Sequence, residues 1–533
     1  MKTKKIKNIF FLSLLAISQL FVSCDDALNT GSYVDVSDSD VLNNASQLEK
    51  ILTSSYRQLY FDSEVESDRV YAGLAGLQMY VDLGGSDIIC HTNMGGSQFT
   101  AYQYTNSKTQ ADGNASKIWK FCYNVINRTN IILSHIDEAS GDETTKKHIK
   151  GQAKAIRAIQ YFHLIQNYQQ TYAIAKDKRG VILRTSADDP DEMGFSTVEQ
   201  VYAQILDDLT SAKELLADFE SPNLWTINSE ICSGMLARVY LVMQNWDGAY
   251  KEAKTVYENH STLLTREQYR SGFDDMITGR YNEVVWAMKY TDDNNLGGGT
   301  QFNMWYNQDE SYGEGYADGP IYSFIAFFAD SQFEKLFEKE DDRYQFWKRT
   351  KNVDSEINSK WAFDKYKHYG TGGGAEIGSP TRPEVCLMRG AEMLLIMAEA
   401  AANIPGKASE ALTLLNRLQG ARNATLTTGV SGQDLLEAIY TERRKELICE
   451  GQSGFYDLVR LQKKLVRVGA SKDNPGGHYV WGLQYLNGYN ATSANPTAYL
   501  ESNDYRFFCQ IPQLEILSNG AISEADQNPY SGK

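Results

Sequence analysis

Residues 229–259 read SEICSGMLARVYLVMQNWDGAYKEAKTVYEN, and their pattern is that of two short helices folded back on one another. Small Ala237, aromatic Tyr240 and small Ala249 stand at relative positions 8, 11 and 20 of the unit. That is tetratricopeptide spacing, in which small residues let paired helices approach closely. Upstream, HIKGQAKAIRAIQYFHLIQNY (148–168) repeats the first half of the pattern with Ala158 and Tyr161. Its Ala155, Ile156, Ile159, Phe162 and Leu164 form a wide apolar face. Downstream, 388–419 offers a looser third copy, with Ala398 and Ala401 followed, after IPGK, by Ala408 and Ala411.

Other long periodic segments, 45–61 and 115–138, also predict helices, and Ser196 with Glu199 predicts a capping box opening a helix over 196–218. The units are not in tandem at the 34-residue period, and long excursions separate them. The expectation is a mainly α chain: a tetratricopeptide-like helical-pair scaffold with long irregular loops and little β structure.

Two excursions hold the unusual composition. Residues 81–105 read VDLGGSDIICHTNMGGSQFTAYQYT, and residues 291–320 read TDDNNLGGGTQFNMWYNQDESYGEGYADGP. Neither shows a helical or strand period. Loops of this length in a compact protein are functional or disordered, and their aromatic content argues against disorder. A third, 470–500, contains HYVWGLQYLNGY (478–489). The chain has 33 Tyr and 8 Trp against 10 Pro, and tyrosine suits a binding surface because it joins a flat apolar face to a polar tip.

The N-terminus opens MKTKKIKN, continues as the apolar run IFFLSLLAISQLFV, and reaches Ser23, Cys24, Asp25 and Asp26. A basic start, a short apolar run and a small residue before the cut describe a secretory signal over 1–23. The run falls short of the roughly 20 apolar residues that span a bilayer. Cys24 would then be the first mature residue and carry lipid, with 24–40 as a polar tether and 41–533 as one helical domain. Removing four lysines and no acids takes the formal charge from −16 to −20. That balance disfavours nucleic acid, whose phosphates need lysine and arginine. Cys90, Cys122, Cys232, Cys386, Cys449 and Cys509 are widely spaced and read as buried thiols, with a Cys90–Cys122 bridge the alternative.

Catalytic signatures are thin. GQSGF (451–455) has Phe455 where a nucleophile elbow needs its second glycine, and it follows a helix where the elbow needs a strand. DDNNLG (292–297) departs from a calcium loop at Leu296 and Asn303. The histidines are scattered, so neither a metal nor another cofactor is expected. Acids near aromatics, such as Asp309, Glu310, Glu314 and Asp318, leave a glycoside hydrolase as one alternative and a pure assembly scaffold as another. TERRKELICEGQSGFYDLVRL (441–461) reads as a buried ion-pair network in preference to a ligand site, with Glu442 and Glu446 flanking Arg443 and Arg444, and Asp457 and Arg460 beyond the turn.

Four stretches together resemble the SusD/RagB family of nutrient-binding lipoproteins of the Bacteroidetes outer membrane. They are the Cys24-Asp25-Asp26 start, AKAIRAIQYFHLIQNY (153–168), LMRGAEMLLIMAEAAA (387–402) and ERRKELICEGQSGFYDLVRL (442–461), with the tail FFCQIPQLEILSNGAISEADQNPY (507–530) in support. Ser453 stands where the family usually has arginine, and Tyr530 follows Pro529 where a glycine often intervenes. The resemblance implies a non-catalytic protein on the outer face of the outer membrane, which captures oligosaccharide or polysaccharide and passes it to a TonB-dependent (SusC-like) transporter. It also points to loops 81–105 and 291–320 as the ligand region. Sugar rings need flat apolar platforms and amide or carboxylate partners for their hydroxyls. Phe99, Tyr102, Tyr104, Trp305, Tyr306, Tyr312 and Tyr316 are the candidate platforms, and Asp82, Asp87, Asn93, Asn303 and Asn307 the candidate polar contacts.

Overall fold

The computed structural model describes residues 42–60, 73–90, 101–105, 113–270, 273, 276–277, 281–289, 327–344, 347–349, 361–363, 365–366, 384–490, 492–494 and 496–529. Its helical frame is α1 (Ala45–Tyr60), α2 (Gly73–Leu83), α3 (Gly113–His135), α4 (Glu143–Tyr168), α5 (Val198–Leu215), α6 (Ser229–Val242), α7 (Trp246–Asn259), α8 (Gly390–Asn403), α9 (Ala408–Ala421), α10 (Gly432–Leu447) and α11 (Phe455–Arg460). Each long helix packs on the next: α3 on α4, α4 on α5, α5 on α6, α6 on α7, α7 on α8, and α8 on both α9 and α10. The chain is mainly helical, as its spacing predicts.

Small residues sit where the helices cross. Ala158, Ala237, Ala249, Ala253, Ala398, Ala401 and Ala411 are fully buried. In the α6–α7 unit the Tyr240 ring lies on Gly248, where a Cβ would come within 2.9 Å of it. Asn245 caps α7 by accepting from the Gly248 N–H, and Asn228 caps α6 in the same way from Ile231. The capping box of α5 is displaced by one residue from expectation: Thr197 and Gln200 make it, and Ser196 lies outside the helix. Thr197 has the extended backbone of a cap, and a glutamine serves at its third helical position as well as a glutamate does.

The β structure is sparse. A four-stranded sheet has the order β1 (Ile88–Cys90), β3 (Phe327–Ala329), β5 (Trp361–Phe363), β4 (Trp347–Arg349). Two ribbons accompany it, β2 (Val284–Lys289) with β6 (Glu384–Arg389), and β7 (Leu465–Val468) with β8 (Thr497–Leu500). Two loop boundaries therefore need correction. Val81–Leu83 closes α2, and Ile88–Cys90 is a strand. Within 470–500 lie a helical turn, Val480–Leu483, and all of β8. Ile88, Ile89 and Cys90 are all buried, so the segment has no in–out alternation to betray it.

The 441–461 stretch is the electrostatic core. Glu446 takes Arg343, Arg389 and Arg422 at 2.5 to 3.0 Å. Arg389 also pairs with Glu283 and Glu450, Lys365 with Glu450, Arg343 with Asp341 and Glu442, and Lys445 with Asp341. Among the described residues this makes five cations and five carboxylates, so the buried charges balance. Arg443 and Arg460 hold Asp457 from two sides, and Arg460 also binds Glu399. An ion-pair network is present, but with other partners than the neighbouring residues: Arg443 pairs with Asp457 and Arg444 with Asp87, while Glu442 and Glu446 take arginines from outside the stretch.

GQSGF is a turn against α2. Gly451 and Gly454 have φ of +65° and +54°, and a Cβ on Gly451 would lie 2.3 Å from the Gln78 backbone. Helix α10 precedes it and Ser453 is fully buried, so it is no elbow. The six cysteines Cys90, Cys122, Cys232, Cys386, Cys449 and Cys509 are buried thiols, and Cys90 and Cys122 form no bridge. Cys24, its tether, DDNNLG and Tyr530 lie outside the described residues.

Candidate functional site

The short strands matter because of what leaves their ends. β1 and β3 run antiparallel, with Ile88 opposite Ala329, Ile89 opposite Phe328, and Cys90 opposite Phe327. Residues 91–100 begin directly after Cys90, and residues 290–326 end directly before Phe327. One end of 91–100 and one end of 290–326 thus adjoin the same end of this strand pair, while the other end of 290–326 follows Lys289 on β2. Sequence alone places these strand ends 237 positions apart (90 to 327).

The third aromatic stretch packs on the same strands. Tyr479 is buried against Ile89 and Phe328, and Trp481, only partly buried, stacks on Tyr479 with ring centres 5.1 Å apart and planes 11° apart. Tyr485 is exposed further along. This pair brings an aromatic surface to the β1–β3 strand pair.

Arg467 holds the segment after the first loop in place. It lies on β7 on the same face as Leu465, fully buried, and donates to the carbonyls of Leu83, Gly85 and Tyr102. Its guanidinium is 4.0 Å from the centre of the Tyr102 ring. Tyr102 hydrogen-bonds His478 Nδ1 at 2.5 Å, and burial pushes its hydroxyl pKa upward, so it stays a neutral phenol. Tyr104 donates to the Gly84 carbonyl and packs edge-on against Phe507.

These positions correct four of the candidate contacts. Tyr102 and Tyr104 are core residues whose rings are covered by Arg467, His478 and Phe507, so they offer a ligand no open face. Asp82 is buried in the last turn of α2 and accepts from the Gly451 N–H at 3.2 Å. Asp87 is buried too, in a two-point ion pair with Arg444 on α10. The reason is common to all four: the 81–105 excursion begins and ends in the interior. Phe99, Asn93, Asn303, Trp305, Tyr306, Asn307, Tyr312 and Tyr316 lie outside the described residues.

Sequence reasoning passed over Arg467 and the Tyr479–Trp481 stack as individual residues, and read Arg444 only as a member of the 441–461 ion-pair network. Arg467 had a readable signal. In LVRV it occupies an apolar-face position, two residues from Leu465, and a charge there must be buried with partners.

Helix pairs at tetratricopeptide spacing, with a small sheet beside them, define a helical-repeat scaffold. A family model described as starch-binding associating with outer membrane matches residues 32–241, and the SusD family model matches residues 373–530. The chain belongs to the SusD/RagB family. A curated relative, SusD-like protein P2 of Formosa agariphila, is 24% identical over 390 residues, covering 67% of this chain and 74% of its own. Among solved structures, a SusD-like carbohydrate binding protein from Bacteroides vulgatus superposes with a TM-score of 0.74 at 25% identity, covering 92% of this chain and 99% of its own. A laminarin-binding SusD-like protein shares the fold, with a TM-score of 0.66 at 19% identity over 91% of this chain and 99% of its own. Members of the family associate with the outer membrane. Among the described residues no helix is long and apolar enough to cross a membrane.

Proposed function

We propose that this chain is a cell-surface glycan-binding lipoprotein that captures oligosaccharide and delivers it to a partner TonB-dependent transporter. The observation that carries the reading is the Cys90–Phe327 pairing, which sets one end of each aromatic, glycine-rich segment on a strand pair that also carries the Tyr479–Trp481 stack. Membership of a carbohydrate-binding family supports it, as does the laminarin binding named for one neighbour of the same fold. Phe99, Trp305, Tyr306, Tyr312 and Tyr316 are the proposed platforms, and Asn93, Asn303 and Asn307 the proposed partners for hydroxyls. Cys24 is the proposed lipid anchor, and 41–533 the proposed single binding domain.

An aromatic contact contributes about 0.5–1.5 kcal/mol beyond burial. Trp305→Ala with Tyr306→Ala should therefore weaken glycan binding by about one to two orders of magnitude, with the melting temperature nearly unchanged. Calorimetry against laminarin and starch oligosaccharides of increasing length is the test, with longer oligomers binding better. Normal binding by the double variant moves the platform to Trp481 and Tyr485. Loss of folding means the two rings are core.

A further inference from the structure

The β1–β3 ladder has a second end. There Asp87 and Asp330 replace the loop roots, joined by the Asp330 N–H donating to the Asp87 carbonyl at 2.9 Å. A cleft of about 330 Å³ opens at this end, between α10, the turn into β7 and the residues following β3. Among the described residues it is lined from Ser86 and Asp87, just before β1, to Val466 and Val468 on β7.

Its lining has two characters. Leu458, Leu461, Val466 and Val468 supply an apolar floor. Val466 is 41% exposed, an open aliphatic surface inside a concavity. Five of the charges around it are in ion pairs, and Asp330, which also lines it, accepts from the Gln332 N–H at 2.8 Å and lies 3.7 Å from His478 Nε2. Arg444 gives Nε and Nη2 to Asp87. Lys463 meets Glu437 at 2.6 Å, Lys464 meets Glu501 at 3.0 Å, and Asp457 is held between Arg443 and Arg460. Compensated charges exert little pull on an ion of either sign. Arg444, with 38% of its side chain exposed, still presents its guanidinium edge at a fixed position, because a two-point Arg–carboxylate pair is geometrically rigid. The Gln332 side chain and Tyr440 complete the wall.

An apolar floor beneath a rim of paired donors and acceptors matches an uncharged polyhydroxylated ring, which has a C–H face and a hydroxyl edge. The volume stands near the bottom of the range of about 300–1,000 Å³ for small-molecule sites, enough for one or two rings. The geometry points to a second site on this protein, at the Asp87–Arg444 cleft, for a short neutral saccharide. It lies at the opposite end of the strand pair from the loop roots and does not depend on the loop site being correct.

The experiment uses the full mature chain in detergent, carrying Trp305→Ala and Tyr306→Ala so that the proposed loop site is silenced. Glucose, galactose, mannose, maltose and cellobiose are titrated by saturation-transfer NMR and calorimetry, with glucuronate and inorganic sulfate as charged probes. At least one neutral sugar should bind saturably. Val466→Trp and, separately, Gln332→Trp fill the cleft from opposite walls at exposed positions, and each should weaken that binding by at least about tenfold without moving the melting temperature. Arg444→Lys, which keeps the charge and loses the two-point pair, should weaken it as well. The inference is overturned if no neutral sugar binds, if both filling variants bind like the parent, or if glucuronate or sulfate binds in preference to every neutral sugar. Because the loop aromatics are absent throughout, failure here leaves the loop reading untouched, and failure of the loop reading leaves this result standing.

Discussion

Glu446 illustrates what one residue does in this interior. Burial pushes its carboxyl pKa upward, but Arg422, Arg389 and Arg343 together outweigh that and hold it well below the usual carboxylate range. Its folded pKa therefore lies beneath the ordinary value of 4.5. The stability it contributes is complete above that value and is lost as the pH falls through the folded one. Glu446→Gln should cost about 3–5 kcal/mol at pH 7, since it leaves buried arginines short of a partner. Its stability should also fall less steeply than the parent's below pH 4.5. Denaturant titrations across that pH range check both, and a variant as stable as its parent at pH 7 would show the network to be net neutral. Arg467 offers a second test. Arg467→Met strands three buried carbonyls, and hydrogen bonds from a charged donor contribute about 1.5–3 kcal/mol each. A loss of about 3 kcal/mol or more is expected, with faster hydrogen exchange over 101–105. Unchanged exchange there would mean that Arg467 does not anchor the segment.

At the scale of elements, close helix crossings carry the scaffold. Ala237 is fully buried on α6, which packs against α5, α7 and α8. Ala237→Trp should destabilise by about 1–3 kcal/mol through overpacking, read as a lowered melting temperature. An unchanged value would place Ala237 on a yielding surface. Much of this level was legible. Ala237, Tyr240 and Ala249 were found at their repeat spacing because a helix crossing restricts side-chain volume locally, and local restrictions leave a sequence period. The capping box moved by one residue because Ser196 and Thr197 are chemically alike, and only backbone geometry separates them. β1 was not legible, since three buried residues in succession show no period.

For the whole molecule, the proposed anchor and the proposed binding loops belong to one reading and are tested separately. If Cys24 carries lipid, Cys24→Ala should release the protein from the membrane fraction or block its processing. Intact-mass analysis of the wild type should find the acyl chains, and an unmodified cysteine would remove the surface tether from the proposal. Of the candidate contacts, Tyr102, Tyr104, Asp82 and Asp87 proved to be interior residues. The composition of 81–105 and 291–320 marked them as unusual. It could not tell Tyr102, pressed against a buried arginine, from an aromatic that faces solvent.

Periodicity, small residues at repeat spacing and the balanced charges of 441–461 come from interactions within a few helical turns, or from composition itself. The sequence by itself therefore determined the helical scaffold, the family and the presence of a buried ionic core. Burial of Tyr102, Tyr104, Asp82 and Asp87, the meeting of Cys90 with Phe327, and the convergence of three arginines on Glu446 depend on chain segments tens to hundreds of residues apart. Only the tertiary structure decided them, because whether a ring or a charge faces ligand or core is set by what the distant chain lays against it.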